Sequence, residues 1–459
     1  MNSSSLRNLL CILFGMTLGL GLGSCAAQQS LEREWTVMVY MNAKNNLEPY
    51  SLPNFYSMAA VGSTQQVSVL AQLGRPSSKR YTNVDGNWSG VLRFLVKKGS
   101  RPIPEQALVD VAKSGESTDM GEPLALKQFI QWSKKTHPAK RYMLVIWNHG
   151  QGWRFQLAAD EALKQLSSRS QPSQQQINLV APNTPAVGGY RAISSDDDTG
   201  NILFNREVQD VIASEFADSK LDVLGYDACL MAMIETAYGV VPSVNVMIGS
   251  EELEPGTGWR YSTWLNKLVA KPGMNAEELS KAVVESYRQE YRDEHLTTLS
   301  AIRLSAVPVL AESLSDFSNA VRSAGKVELQ ALREARAGIE SYGMSIAPPL
   351  RTSVDLAALL KAYEAKTKNG LLKEKSERVR ALLAEAVVSN YASARSQYPE
   401  GEGEKPYGSE GLAIYYPESS SAFYEDFFHT GYFKQNKDRP VDFVQHETWA
   451  DLLYELLGI

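Results

Sequence analysis

Short, nearly continuous apolar runs alternate with amphipathic stretches through the first 270 residues, and helical spacing takes over beyond about Lys271. WTVMVYM (residues 35–41) is β-branched and aromatic between polar flanks and predicts a strand. AKNNLEPYSLPNFYSMAAV behind it reads as a loop and then a helix. QVSVLAQL (66–73) predicts a second strand, and GVLRFLVKK (90–98) a third whose alternation suits a position near a sheet edge. EPLALKQFIQWSKK (122–135) carries apolar residues at helical spacing. YMLVIW (142–147), LDVLGY (221–226) and VNVMIGS (244–250) are the unbroken apolar strands that a parallel sheet buries on both faces. Strands alternating with helices predict an α/β fold with a mostly parallel central sheet and crossover connections.

The second texture is expected to be mostly helical. AEELSKAVVESYRQEYRDE, LAESLSDFSNAVRSA and KEKSERVRALLAEAVVSNYASA (373–394) all show helical periodicity. Two strand-like pieces interrupt them, TLSAIRL (298–304) and GLAIYYP (411–417), and both are expected to extend the first sheet. Residues 156–200 are rich in Ser, Gln, Pro and Gly and read as an exposed insertion. The expected organisation is a leader over 1–24, a tether over 25–34, an α/β domain over 35–270 and a helical region over 271–459 packed on its sheet.

Composition bears on address and partners. The N-terminal LLCILFGMTLGLGLG follows Arg7 and ends at Gly23, with Ser24-Cys25 next, the layout of a secretory signal. It is too short and too glycine-rich for a spanning helix. Leu22-Gly23-Ser24-Cys25 resembles the lipobox of bacterial lipoproteins, which predicts cleavage before Cys25, acylation of that cysteine, and a body tethered by lipid to a membrane of the cell envelope. No later apolar run is long enough to cross a bilayer. The net charge of −6, without a basic block interleaved with aromatics, argues against nucleic acid as a partner. With Cys11 in the leader and Cys25 lipidated, Cys229 is the one free thiol expected in the mature chain.

Two of the buried-type strands run straight into chemistry. YMLVIW leads into Asn148-His149-Gly150-Gln151-Gly152-Trp153, and LDVLGY into Asp227-Ala228-Cys229. In open α/β sheets ligands sit beyond the carboxyl ends of strands. If these strands are parallel neighbours, His149 and Cys229 emerge at one edge as a proton acceptor and a nucleophile. LMAMIETAY after the cysteine looks helical, which would place the thiol near a helix N-terminus and favour a thiolate. The backbone N–H groups of Gly150 and Cys229 are the candidate oxyanion donors. His137, His295, His429 and His446 follow no buried strand and read as structural or surface residues. Asp196-Asp197-Asp198-Thr199-Gly200-Asn201 has hard oxygen ligands but lacks the distant Glu of a calcium loop, so it reads as an acidic turn. No metal and no cofactor are expected, and GLGLG lacks the strand–turn–helix setting of a phosphate loop.

The ordered set of motifs resembles the clostripain family of cysteine peptidases. The carrying residues are His149-Gly150-Gln151-Gly152-Trp153; Asp227-Ala228-Cys229-Leu230-Met231 with Glu235; and Ser250-Glu251-Glu252, Pro255-Gly256 and Gly258-Trp259. The strand at 35–41 and the late GLAIYYP also match family segments in order. The resemblance implies a caspase-like α/β/α sandwich, a His149/Cys229 dyad, and cleavage of proteins or peptides after Arg, with Lys also accepted. Asp227, two positions before the nucleophile, would take the guanidinium in a charge-assisted pair, and Glu252 would add negative charge. The family's zymogen habit implies self-cleavage in the 156–200 insertion, with Lys164, Arg169 and Arg191 as candidate sites. Some family members depend on calcium; nothing in this chain supports that dependence. Two other readings stay open at this level: a binding lipoprotein on an inactive peptidase scaffold, and a Cys/His amidase.

Overall fold

The computed structural model describes residues 33–77, 82–153, 194–292, 296–343, 352–393, 408–426, 428–436 and 441–459. The thirteen strands found there are β1 (Arg33–Asn42), β2 (Val67–Arg75), β3 (Gly90–Leu95), β4 (Val109–Asp110), β5 (Ala139–Trp147), β6 (Ser194–Ser195), β7 (Ile202–Leu203), β8 (Leu221–Asp227), β9 (Val244–Gly249), β10 (Thr298–Arg303), β11 (Ser353–Asp355), β12 (Val387–Ala392) and β13 (Ala413–Tyr415). Nine of them form one sheet in the order β12-β10-β9-β8-β5-β1-β2-β3-β4. Its centre is parallel: β9, β8, β5, β1 and β2 run the same way. β3, β4, β10 and β12 close the two flanks in antiparallel fashion.

Alternation along each central strand feeds two apolar layers. Met38 and Tyr40 of β1, Leu144 and Ile146 of β5, and Leu224 and Tyr226 of β8 enter one core. Val37 and Val39, Met143 and Val145, and Val223 enter the other. The first layer is completed by helices Pro123–Thr136, Asn205–Glu215, Val307–Ala324 and Trp449–Leu457, the second by Glu48–Ala59, Tyr261–Ala270 and Ala276–Tyr291. This is the α/β/α sandwich with a mostly parallel central sheet. Each fully buried Val, Leu, Ile or Met is worth roughly 1.5–3 kcal/mol relative to exposure, so strands covered on both faces must be apolar throughout.

Beyond residue 270 the elements depart from expectation in two places. Helix Gly370–Ala386 stops where helical spacing had been extended to 394, and Val387–Ala392 becomes the edge strand β12. The β-branched pair Val387-Val388 packs there against the sheet, Val387 on one core and Val388 on the other. GLAIYYP does not join the main sheet: β13 pairs with β11 in a separate ribbon and touches the segment after Cys229 through a parallel bridge, Met233 to Ala413. TLSAIRL does join, as β10 between β9 and β12. The chain from Glu32 to Ile459 clusters as one unit.

β8 is itself closely packed at its one glycine. A Cβ on Gly225 would stand 2.7 Å from Cη2 of Trp259, whose side chain is 1% exposed. Gly225→Ala is therefore expected to destabilise the fold by about 1–3 kcal/mol, the usual cost of overpacking, read as a lower midpoint in urea unfolding. An unchanged midpoint would mean that Trp259 has room to yield.

Candidate active site

β5 and β8 pair in parallel from Met143↔Val223 to Trp147↔Asp227, so the two strands end level. His149 lies two residues past the end of β5 and Cys229 two past the end of β8. Both motif segments leave the sheet at its carboxyl edge, on neighbouring strands. The ladder continues one step further, with the Asn148 N–H donating to the Asp227 carbonyl at 3.3 Å.

The two segments are packed backbone to backbone, and glycine makes this feasible. A Cβ on Gly150 would fall 2.3 Å from the Cys229 carbonyl oxygen. Gly152 has φ +65°, and a Cβ there would meet Met233 Sδ at 2.3 Å and the Leu230 carbonyl at 2.8 Å. Trp153 anchors the far end of the histidine segment, fully buried and edge-on to Tyr415 and Tyr432. Gly150 thus carries a reason beyond flexibility: any side chain would drive the histidine and cysteine segments apart.

Cys229 does not sit at a helix N-terminus. The helix begins only at Ile234, and the residue after the cysteine, Leu230, takes φ +61°, an uncommon conformation for a non-glycine residue. The segment is held in this tight turn by hydrogen bonds from the Leu230 N–H to the Glu252 carbonyl (3.1 Å) and from the Ala232 N–H to the Ser250 carbonyl (2.9 Å). Its sulfur is half-buried. It accepts the Glu254 N–H at 3.3 Å and lies 3.9 Å from the Glu254 carbonyl. Burial pushes the thiol up to about 12, the charges of Glu254 and Glu252 push the same way, and the Glu254 N–H opposes them. The expected thiolate is replaced by a neutral thiol, because burial without a helix dipole disfavours the anion.

His149 is 8% exposed. Its backbone N–H donates to Asn148 Oδ1 at 2.6 Å, and its Nε2 lies 2.9 Å from Asn46 Oδ1. Among the described residues no hydrogen bond joins the imidazole to Cys229 Sγ. The pair are neighbours in the backbone, with the sulfur turned to the Glu254 segment. Nor does a described residue's backbone carbonyl accept from the N–H of Gly150 or Cys229.

Three acids lie on or near the cysteine segment and differ in their commitments. Asp227 is buried; its carboxylate accepts Tyr261 O–H at 2.8 Å and the Trp259 N–H at 3.2 and 3.3 Å. Burial raises it to about 6. Glu254 is raised well above the carboxylate range by burial and by the neighbouring charge of Asp227. Glu252 is taken up elsewhere: it accepts the N–H of Leu253 at 2.7 Å and of Gly343 at 2.9 and 3.1 Å. Of the acids that follow β9, it is Glu254 that meets Asp227, a residue the sequence reading passed over.

The acidic turn is closed by a side chain. Lys44 Nζ lies 2.8 Å from Asp196 and 3.4 Å from Asp198, and donates to the Thr118 carbonyl. Among the described residues no group of His, Cys, Asp and Glu could hold a metal ion. His429 is buried with Nδ1 on the Asp426 carbonyl at 2.7 Å, and His446 stacks on Tyr238. His137 ends a helix, with Nδ1 2.9 Å from Thr136 Oγ1. Cys11, Cys25, Lys164, Arg169, Arg191 and His295 lie outside the described residues.

Known proteins share these features. The sequence profile of the clostripain family, peptidase C11, matches residues 39–167 and 186–455. Clostripain of Hathewaya histolytica is 25% identical over 259 residues, which is 53% of this chain and 44% of clostripain. The match therefore spans under half of that relative's length. The fold is shared with an inactive zymogen C11 protease from Parabacteroides distasonis, at TM-score 0.58 and 17% identity over 90% of this chain and 98% of that one. It is shared too with a secreted C11 cysteine protease from Bacteroides thetaiotaomicron, solved with an irreversible peptide inhibitor, at TM-score 0.53 and 16% identity over 92% and 99%.

The acid pair gives stability a pH dependence of definite sign. Both folded-state pKa values lie above those of free carboxyls, 3.8 and 4.5. The folded protein then holds a proton that the unfolded chain releases, so stability falls as pH rises through about 6. Glu254→Gln, which keeps a hydrogen-bonding partner for Asp227 without the charge, is expected to gain about 1–3 kcal/mol at pH 8 and markedly less at pH 5, one to two pKa units' worth. Urea unfolding at the two pH values reads this; an equal effect at both would exclude a raised Glu254 carboxyl.

Proposed function

Because the chain belongs to the clostripain family, we propose that it is a cysteine endopeptidase cleaving after basic residues, with His149 and Cys229 as the catalytic pair. One observation carries this reading: the level ends of β5 and β8, from which the Gly150 backbone rests directly on that of Cys229.

The chemistry begins from a thiol. His149 takes the Cys229 proton as sulfur attacks the carbonyl carbon of the scissile bond, and the carbonyl π electrons move to oxygen. The N–H groups of Gly150 and Cys229 stabilise that oxyanion. As the tetrahedral species collapses, the C–N bond breaks, the imidazolium gives its proton to the leaving amine, and a thioester remains. Water then attacks the thioester with His149 as base; the C–S bond breaks, and the acid leaves with the thiol restored. No cofactor enters this cycle, and no calcium is assigned to it.

Asp227 and Glu254 are the neighbouring acids that would receive an arginine guanidinium or a lysine ammonium. The cation would displace the proton that the raised Glu254 carboxyl retains and leave two carboxylates for charge-assisted hydrogen bonds. The lipobox-like run ending at Cys25 supports a membrane tether in the cell envelope. Self-cleavage within 156–200, at Lys164, Arg169 or Arg191, follows from placing a basic, polar strip in a chain that cuts after basic residues.

Peptidyl-coumarins ending in Arg, Lys or Gln test the reading. Wild type is expected to turn over the first two, with Cys229→Ala and His149→Ala inactive and Asp227→Asn losing about 10- to 100-fold on Arg, the worth of one charge-assisted contact. Absence of turnover on any basic peptide, even after limited tryptic nicking, would favour a binding role. On a denaturing gel wild type is expected to resolve into two fragments while Cys229→Ala stays whole; an active yet intact wild type would count against self-processing.

A further inference from the structure

We infer that Asn46 is the positioning residue for His149: its side-chain oxygen accepts the Nε2–H, which leaves Nδ1 as the nitrogen that exchanges a proton with Cys229. The inference rests on the His149/Cys229 reading and adds to it a third group.

Asn46 lies in the turn between β1 and helix Glu48–Ala59, and its Oδ1 stands 2.9 Å from His149 Nε2 in a partly buried setting. An amide oxygen can only accept, and a neutral imidazole has one N–H and one lone pair. The contact therefore selects the tautomer with hydrogen on Nε2. β1 supplies this residue for a topological reason. β1 pairs with β5 up to Met41↔Trp147, so β1, β5 and β8 all end at one level and deliver Asn46, His149 and Cys229 to the same edge.

The turn is fixed from both sides, which gives a single hydrogen bond its directional value. Asn45 Nδ2 donates to Asn148 Oδ1 at 3.3 Å and to the Ser195 carbonyl at 2.9 Å, while Asn45 Oδ1 accepts the Leu47 N–H at 2.9 Å. Asn148 Nδ2 reaches back to the Asn42 carbonyl at 2.6 Å. Lys44, one residue earlier, is pinned to Asp196. The acceptor is thus held by the same asparagine network that accepts the His149 backbone N–H. A neutral amide orients the ring without the strong rise in imidazole basicity that a carboxylate would impose.

Asn46→Ala and Asn46→Asp test this on the full chain. The alanine variant is expected to lose about 10- to 100-fold in kcat, part of what general acid–base catalysis supplies, with KM within about twofold because peptide binding is untouched. The aspartate variant keeps an acceptor and should recover most of kcat, while its acidic pH limb moves up by about one unit as the anion favours imidazolium. Alanine and aspartate variants equally impaired with identical pH profiles would reveal a merely structural role and overturn the inference. So would a folded Asn46→Ala enzyme with wild-type kcat and pH profile. Alkylation of Cys229 by iodoacetamide at pH 6 needs no peptide turnover and separates the two readings. If His149→Ala leaves the alkylation rate unchanged, the catalytic pair itself fails. If His149→Ala slows it and Asn46→Ala does not, Asn46 alone is excluded.

Discussion

The register between β5 and β8 is the constraint from which the site follows. Side chains of a strand alternate with a period of two, so sliding one strand by a single residue would exchange its two faces. Leu144, Ile146, Leu224 and Tyr226 belong to one core; Met143, Val145 and Val223 belong to the other. A slip of β8 would turn Val223, Leu224 and Tyr226 toward the wrong layers and would also move Cys229 a step along the edge relative to His149. Packing on both faces and the alignment of His149 with Cys229 therefore depend on the same set of backbone hydrogen bonds. No separate device is needed to bring the two segments together.

The same central burial explains why the charged groups near the sulfur behave as they do. A sheet edge roofed by turns excludes water, and carboxyls there retain protons that solvent would remove. Asp227 and Glu254 are both raised in this way. Glu251 is likewise raised by burial and by Asp355, and it accepts the Gly411 N–H at 3.0 Å. Glu252 meets the Gly343 N–H instead. Through these acids the short segment after β9 is tied at once to β8, to the β13 approach and to Gly343. A change at any one anchor would be felt at the Glu254 N–H, and so at Cys229.

Most of the sheet was legible because its strands are covered on both faces and so are apolar throughout, a signal that a sequence displays without alignment. The uniqueness of Cys229 and the strand-end positions of His149 and Cys229 were legible for the same reason. Three features were not. β12 continues a helical pattern into an edge strand, and periodicity alone cannot distinguish the two over six residues. The turn after Cys229 was mistaken for helix because Leu230-Met231-Ala232-Met233 are good helix formers; tertiary hydrogen bonds to Ser250 and Glu252 overrule them. Asn46 and Glu254 act through contacts distant in sequence, His149 lying 103 residues from one and Cys229 25 residues from the other. The one available hint was Lys44-Asn45-Asn46 directly after a buried strand, a polar cluster at the edge where chemistry was already expected.

Electrostatics around the nucleophile then impose an order on events. A thiol raised to about 12 by burial and by the charges of Glu254 and Glu252 is a poor spontaneous nucleophile. Two changes would lower that barrier. Rotation of the sulfur from the Glu254 backbone toward the imidazole would supply a proton acceptor. A cation settling on the Asp227–Glu254 pair would offset the negative charge that opposes the thiolate. In the proposed reading the second change is made by the substrate's own basic side chain. The acids that recognise arginine or lysine would then also suppress reactivity until one arrives, so selectivity and restraint would come from one buried pair of carboxyls. A neutral side chain, offering no charge to that pair, would leave the sulfur protonated beside the ring meant to activate it.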